Sequence, residues 1–210
     1  MTSPRTGLLL DFGGVLTTPL LPAVLAFERR EGLAEMAAAR ALFGDAETVR
    51  RTQDLERGTL TQAEWNAGAA PLLGVPAENL MGRLFADLRP EPSVIAAAAA
   101  ARRAGVKVGV LSNSVGADPF DLYAGYDLDR SYDAVVISER HGLRKPEPEI
   151  FRLALSMLEL PAEACVFVDD TPEYVAAAEE LGFAAVVAKD PAETVARLES
   201  LLGVPLAQAA

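Results

Sequence analysis

The sequence predicts an α/β protein: a doubly wound parallel sheet with an all-helical insertion behind its first strand. Three observations carry this expectation. Five short runs, LLLDF, VKVGVLS, AVVIS, ACVFVDD and AAVVA, are almost continuously apolar and of strand length. Runs without polar alternation suit strands covered by helices on both faces, as in a parallel sheet. Between the later runs lie segments of helical period, PEIFRLALSMLEL, TPEYVAAAEELGF and PAETVARLESLLG. Proline stands near their starts and glycine follows the last turn of two of them, as at helix ends. From residue 90 onward this alternation reads as repeated β-α units. The third observation is an interruption, because residues 18–88 hold no convincing strand.

In chain order, LLLDF supplies the first strand. FERREGLAEMAAARALFG, AETVRRTQDLERG, LTQAEWNAGAAPLLG and PAENLMGRLFADL then read as short helices joined by Gly and Pro. LTQAEW has a helix-entry pattern, with Thr61 as N-cap and Glu64 three residues on. IAAAAAARRAG reads as a helix with a small-residue packing face. The expected division is a core of residues 1–17 and 89–210 and a helical cap of residues 18–88. Ligand sites in such sheets lie beyond the strand C-termini, so an insertion after LLLDF belongs over Asp11.

Composition narrows the function. Net charge is −11 with no basic cluster beyond pairs such as Arg29-Arg30 and Arg102-Arg103. That argues against nucleic acid, whose affinity rests on neutralised phosphates, yet leaves room for a small anion held by one or two cations. Cys165, the single cysteine, sits in an apolar run and reads as a small core residue. His141 lies in a polar stretch and reads as solvated. No run approaches the ~20 apolar residues that cross a bilayer, and MTSPRTG precedes no h-region of adequate length. The expectation is a cytoplasmic protein without nucleic-acid or membrane partners, with monomer and homodimer both open.

Polar residues terminate these apolar runs. Asp11 ends the first, Ser112-Asn113-Ser114 the second and Asp169-Asp170 the fourth, while Lys145 directly precedes a proline expected to start a helix. Singly, Ser112 fits a strand-end turn, Lys145 a solvated loop cation and the acid pair a helix N-cap. In a parallel sheet, however, these ends converge on one edge. Three carboxylates there repel unless a cation binds them, and hard oxygen donors favour Mg²⁺ over zinc or copper. Magnesium, a lysine and a serine around one aspartate suit a phosphoryl group that the aspartate attacks.

DFGGVLT, VLSNS, LRKPEPEIF and VFVDD, in this order, resemble the four motifs of the haloacid dehalogenase superfamily, over roughly Leu8 to Gly182. With ERGTLTQAEW, the chain also resembles the branch that holds epoxide hydrolase N-terminal phosphatase domains and sugar-phosphate phosphatases. The resemblance implies a Rossmann-like core and a Mg²⁺-dependent hydrolase acting on a small phosphorylated metabolite. Carried over, Asp11 is the nucleophile that forms an aspartyl-phosphate. Ser112 binds the transferring phosphoryl, Asn113 shapes the loop beside it, and Lys145 balances the charge. Asp170 is the main carboxylate ligand of Mg²⁺, with Asp169 close by, Asp11 shared, and the Gly13 carbonyl as a further ligand. Gly14 helps bring the backbone near the phosphate.

The sequence departs from the family's usual phosphatases at Gly13, where a second aspartate normally serves as general acid and base. That help is typically worth ~10²- to 10⁴-fold. Glycine at this position also raises the question of a backbone conformation that aspartate reaches only at a cost. The resemblance leaves two alternatives: a 2-haloacid dehalogenase, against which the acid pair speaks, and a catalytically weak phosphometabolite sensor. A phosphate-accepting signalling receiver is remote, since its acid pair precedes the acceptor strand.

Overall fold

The computed structural model describes residues 5–206. Its sheet is formed by β1 (Gly7–Leu10), β2 (Lys107–Ser112), β3 (Ala134–Ile137), β4 (Cys165–Asp169) and β5 (Ala184–Val187). All neighbours are parallel, in the order β3-β2-β1-β4-β5. The five apolar runs are therefore the five strands.

The lack of polar alternation has a direct cause, since successive side chains point to opposite faces and both faces are covered. Leu8, Leu10, Val108, Val110, Val166 and Val168 pack on one side with α6 (Pro92–Arg103) and α10 (Pro191–Leu202). Ala97, Ala98 and Ala101 form the buried small-residue face of α6. Leu9, Leu111 and Phe167 pack on the other side, against α8 (Pro148–Leu158) and α9 (Pro172–Glu180), while the one-turn α7 (Leu128–Ser131) leads into β3. Cys165 is fully buried in that layer, its thiol pushed up to about 11 by burial and the nearby Glu163 carboxylate. It is a small core residue.

Between β1 and α6 the chain makes α1 (Leu20–Glu31), α2 (Ala37–Gly44), α3 (Ala46–Glu56), α4 (Gln62–Leu73) and α5 (Leu80–Leu84). These build an apolar centre of their own, including Val24, Phe27, Leu42, Leu55, Trp65, Met81 and Leu84. α1 begins at Leu20, before the FERREG stretch, and ends at Gly32 in the left-handed conformation. The α4 entry is a capping box, with Thr61 and Glu64 each bonding the other's backbone amide. The outgoing and returning chain meet at one neck. Thr17 bridges Pro90, Thr18 N–H donates to the Arg89 carbonyl at 2.8 Å, and Glu91 N–H donates to the Leu16 carbonyl at 2.9 Å. Among the described residues no helix is long and apolar enough to cross a membrane.

One local expectation is corrected. The proline after Lys145 does not start a helix: Pro146 follows a cis peptide bond, and α8 begins two residues later at Pro148. Proline suits the first helical position because the amide it lacks would have no partner there. The motif holds two prolines, and only the second stands at that position.

Candidate active site

Asp11 after β1, Ser112 at the end of β2, Lys145 before α8 and Asp169 at the end of β4 are all withdrawn from water. Lys145 is 1% exposed, a position that lysine tolerates only when its charge is answered. Its Nζ lies 2.8 Å from Asp11 Oδ1 and 2.6 Å from Asp169 Oδ2. Burial alone would lower the ammonium's pKa, but these two carboxylates outweigh it and hold the group above its ordinary range. Lys145 is a charged bridge inside the crevice.

The acids differ in how much of each is already committed. Asp169 is fully buried; Lys145 takes Oδ2, and the Thr171 N–H donates to Oδ1 at 2.8 Å. Asp170 is half-buried and accepts one hydrogen bond on Oδ1, from the Thr171 hydroxyl. Asp11 receives both Lys145 Nζ and the Phe12 N–H on Oδ1. Burial first, and the Asp169 charge second, push the Asp11 carboxyl up to about 7 against the pull of Lys145. Asp170 is raised for the same two reasons. Carboxylate oxygens of Asp11, Asp169 and Asp170 lie within 4.8 Å of one another. An all-oxygen set of this kind, strained by like charge, fits a hard divalent cation.

The glycines divide the work. Gly14 has φ +75°, and a Cβ there would overlap Asp170 Oδ2, so the close approach of the β1 loop to Asp170 requires glycine. Its N–H donates to Thr17 Oγ1 at 3.0 Å. Gly13 is not among the residues of positive φ, which removes the backbone objection to a side chain at that position. A Cβ on Gly13 would instead stand 3.0 Å from Leu20 Cδ1. Hydrocarbon from α1 faces the place where an acid was anticipated.

Asn113 clasps the lysine segment. Its Oδ1 accepts from the Lys145 N–H at 2.8 Å, and its Nδ2 donates to the Lys145 carbonyl at 3.2 Å. Ser112 Oγ accepts from the buried Tyr123 hydroxyl at 3.0 Å. Burial raises Tyr123 above its ordinary range, so it remains a donor. His141 is exposed and lies outside the crevice.

Several contributors have no local sequence signal. Tyr123 comes from a loop and also meets Phe12 edge-on, with ring centroids 4.8 Å apart. Tyr174 of α9 accepts from Arg144 at 3.2 Å and from Asn113 at 3.4 Å. Arg144 in turn pairs with Glu56 at the end of α3, and Arg57 pairs with Glu147. These ion pairs tie the insertion to the lysine segment. Asp11, Ser112, Asn113, Lys145 and Asp170 open on a cavity of about 340 Å³, closed from above by α1–α5.

A Rossmann-like sheet, a helical insertion behind β1 and an aspartate sharing its crevice with a buried lysine and an acid pair mark one class of α/β hydrolases. The chain belongs to the haloacid dehalogenase-like hydrolases, whose family pattern matches residues 6–182. It is 24% identical to bifunctional epoxide hydrolase 2 of Rattus norvegicus over 221 aligned residues, covering 95% of this chain and 39% of that protein. It is 33% identical over 86 residues to glyceraldehyde 3-phosphate phosphatase of Methanopyrus kandleri, covering 41% of this chain and 37% of that one. The aligned stretches thus span well under half the length of both relatives. Among solved structures, a haloacid dehalogenase-family enzyme of Bacteroides thetaiotaomicron in complex with magnesium and inorganic phosphate has the same fold. That likeness has a TM-score of 0.62 at 21% identity and covers 89% of this chain and 96% of that one.

Proposed function

We propose that this hydrolase is a Mg²⁺-dependent phosphatase of a small phosphorylated metabolite, working through an aspartyl-phosphate on Asp11. In this reading residues 18–88 are a cap domain over a core of residues 1–17 and 89–210. The observation that carries it is the bridge of Lys145 between Asp11 and Asp169, with Asp170 beside it still open to the cavity. A resident cation and a buried lysine suit the spread negative charge of a phosphoryl group better than a neutral carbon centre. The phosphatase among the relatives supports the same chemistry.

Asp11 attacks phosphorus with Oδ2, because both of its hydrogen bonds fall on Oδ1. Lys145 holds the carboxylate in place and offsets charge on the phosphoryl oxygens. Ser112, oriented by Tyr123, donates its hydroxyl proton to one of those oxygens. Asn113 fixes the backbone of Lys145 and Gly14 admits Asp170 to the crevice. Mg²⁺, held by Asp170, Asp11 and the Gly13 carbonyl, would supply the remaining neutralisation of the phosphoryl charge. Asp169, already committed to Lys145 and Thr171, acts beside the metal as the anchor of the lysine.

The test is hydrolysis of acetyl phosphate and of 2-chloropropionate, with Mg²⁺ and with excess chelator. Phosphate release that chelator and Asp11→Asn both abolish is the expected result. Undiminished release in chelator rejects the metal, and chloride release would move the assignment to the dehalogenase. Magnesium titrations separate the acids. Asp170→Ala should raise the half-saturating concentration by about 10- to 100-fold, and more than Asp169→Ala does. The reverse order exchanges their roles.

A further inference from the structure

The cavity over Asp11 has two unlike halves. Its floor presents the Asp11 and Asp170 carboxylates, Lys145, Ser112, Asn113, Thr171 and Tyr174. Its roof is hydrocarbon, supplied by Leu20, Val24, Leu42, Trp65, Leu84 and Phe85. Thr52 and Glu56 are the insertion's polar side chains among the lining residues, Thr52 fully engaged and Glu56 engaged through Oε2. Thr52 Oγ1 accepts from Trp65 Nε1 at 2.9 Å and donates to the Thr48 carbonyl at 2.9 Å, while Glu56 is paired with Arg144. A sugar under this roof would give up water from most of its hydroxyls for contact with hydrocarbon, which is costly. An apolar group would gain from the same burial. At the rim Phe43 is 61% exposed, an aromatic face that extends the roof toward solvent.

The second observation is Leu20 against Gly13. The position two residues past the nucleophile carries no acid, and the space in front of it is filled by a methyl group. A leaving oxygen at that point meets hydrocarbon in place of a carboxyl from the β1 loop, which favours a group able to depart as its own anion.

From these two features together we infer that the substrate is a phosphomonoester with an apolar organic group that leaves as a weakly basic oxyanion, as an aryl phosphate does. This inference rests on the phosphatase reading above and specifies its substrate class. In the first step Asp11 Oδ2 bonds to phosphorus, the P–O(aryl) bond breaks, and its electron pair departs on the aryl oxide. In the second, water attacks phosphorus and the P–O(Asp11) bond breaks, returning its pair to the carboxylate. One proton of that water stays on the released hydrogen phosphate, and the other reaches the aryl oxide through solvent.

The experiment uses the full chain in saturating Mg²⁺. Substrates are para-alkyl phenyl phosphates from methyl to butyl, their hydroxyl-terminated counterparts, glucose 6-phosphate, and acetyl phosphate as reference. Along the alkyl series leaving-group basicity is nearly constant, so only burial changes. kcat/KM should climb by about fourfold per methylene until the cavity is full, and a terminal hydroxyl should cancel the gain. Glucose 6-phosphate should lag phenyl phosphate by about 100-fold or more. Phe43→Ser, at a position 61% exposed, should flatten the climb at the longest chains. A flat alkyl series, or a preference for glucose 6-phosphate, overturns the inference while acetyl phosphate turnover keeps the phosphatase reading intact. Absence of acetyl phosphate turnover and of any phosphoryl label on Asp11 removes that reading, and this inference with it.

Discussion

The floor and the roof of the cavity are built on opposite principles. The floor gathers buried charge and holds it with short, mutual contacts: Lys145 between Asp11 and Asp169, Asn113 on the lysine's backbone, Tyr123 on Ser112. The roof gathers hydrocarbon and pairs its two polar side chains, Thr52 with Trp65 and Glu56 with Arg144. The difference teaches where each property of a phosphatase would reside. Reaction type follows from the floor, where replacing one charged group unbalances the rest. Choice of substrate follows from the roof, where side chains act through shape and the exclusion of water.

The most forceful way to break that division is to remove the floor's buried cation, Lys145. Lys145→Met keeps the length of the side chain but leaves Asp11 and Asp169 facing each other without a counter-charge. Loss of one partner from such a buried set costs about 3–5 kcal/mol. Denaturant unfolding at about pH 8 should show a loss of that size, together with loss of turnover. A loss below about 1 kcal/mol would mean that the acids are solvated and that the floor is less dry than its geometry implies.

A second test crosses the boundary between the two halves. Gly13→Asp restores a carboxyl where the family's phosphatases carry one. Its backbone is compatible, but its side chain meets Leu20 Cδ1. Gly13→Asp alone should therefore help hydrolysis of alkyl phosphates little. Combined with Leu20→Ala, it should raise that rate by up to ~10²-fold and change aryl phosphate turnover little. Equal gains from the single and double variants would clear Leu20 of blocking the acid, and no gain from either would mean that the proton comes from elsewhere.

Those two tests also mark how far the sequence alone could be read. Five strands, their polar ends and the helical insertion were legible because each has a local signature: an apolar run, a terminating acid, a break in rhythm. Thr61 and Glu64 were legible for the same reason, as a capping box closes within one turn. Leu20 was not, since nothing in TTPLLP indicates that its methyl group comes to rest opposite Gly13. Tyr123, Arg144 and Tyr174 were hidden likewise, for they reach the crevice only through long-range packing. Pro146 and Pro148 were interchangeable by eye, and only the folded chain separates them. The two glycines were legible as a tight turn, but not in their division of labour, because positive φ belongs to Gly14.

The gentlest test concerns pH and uses metal-free protein in chelator. Folding holds the Asp11 carboxyl at about 7, against ~3.9 for an unperturbed aspartate. A carboxyl raised in this way contributes stability at low pH, and the contribution is lost as pH rises from about 4 through about 7. Asp11→Asn cannot ionise and so escapes the loss. At about pH 8 it should exceed the parent in stability, while near pH 4 the two should melt together. Thermal unfolding at both values decides it. A variant less stable than the parent at about pH 8 would mean that the lysine's attraction outweighs burial at Asp11.

The neck that joins the two halves has a consequence for the history of such a chain. Because residues 16–18 and 89–91 are hydrogen-bonded to one another, everything between them is a closed excursion from a fixed pair of points. The entropy of closing such an excursion grows only with the logarithm of its length, by about 0.6 kcal/mol per doubling. Helices can be added to the excursion or removed from it at almost no cost to the sheet beneath. The neck makes the roof an interchangeable part, one that can be rewritten many times over the same chemistry.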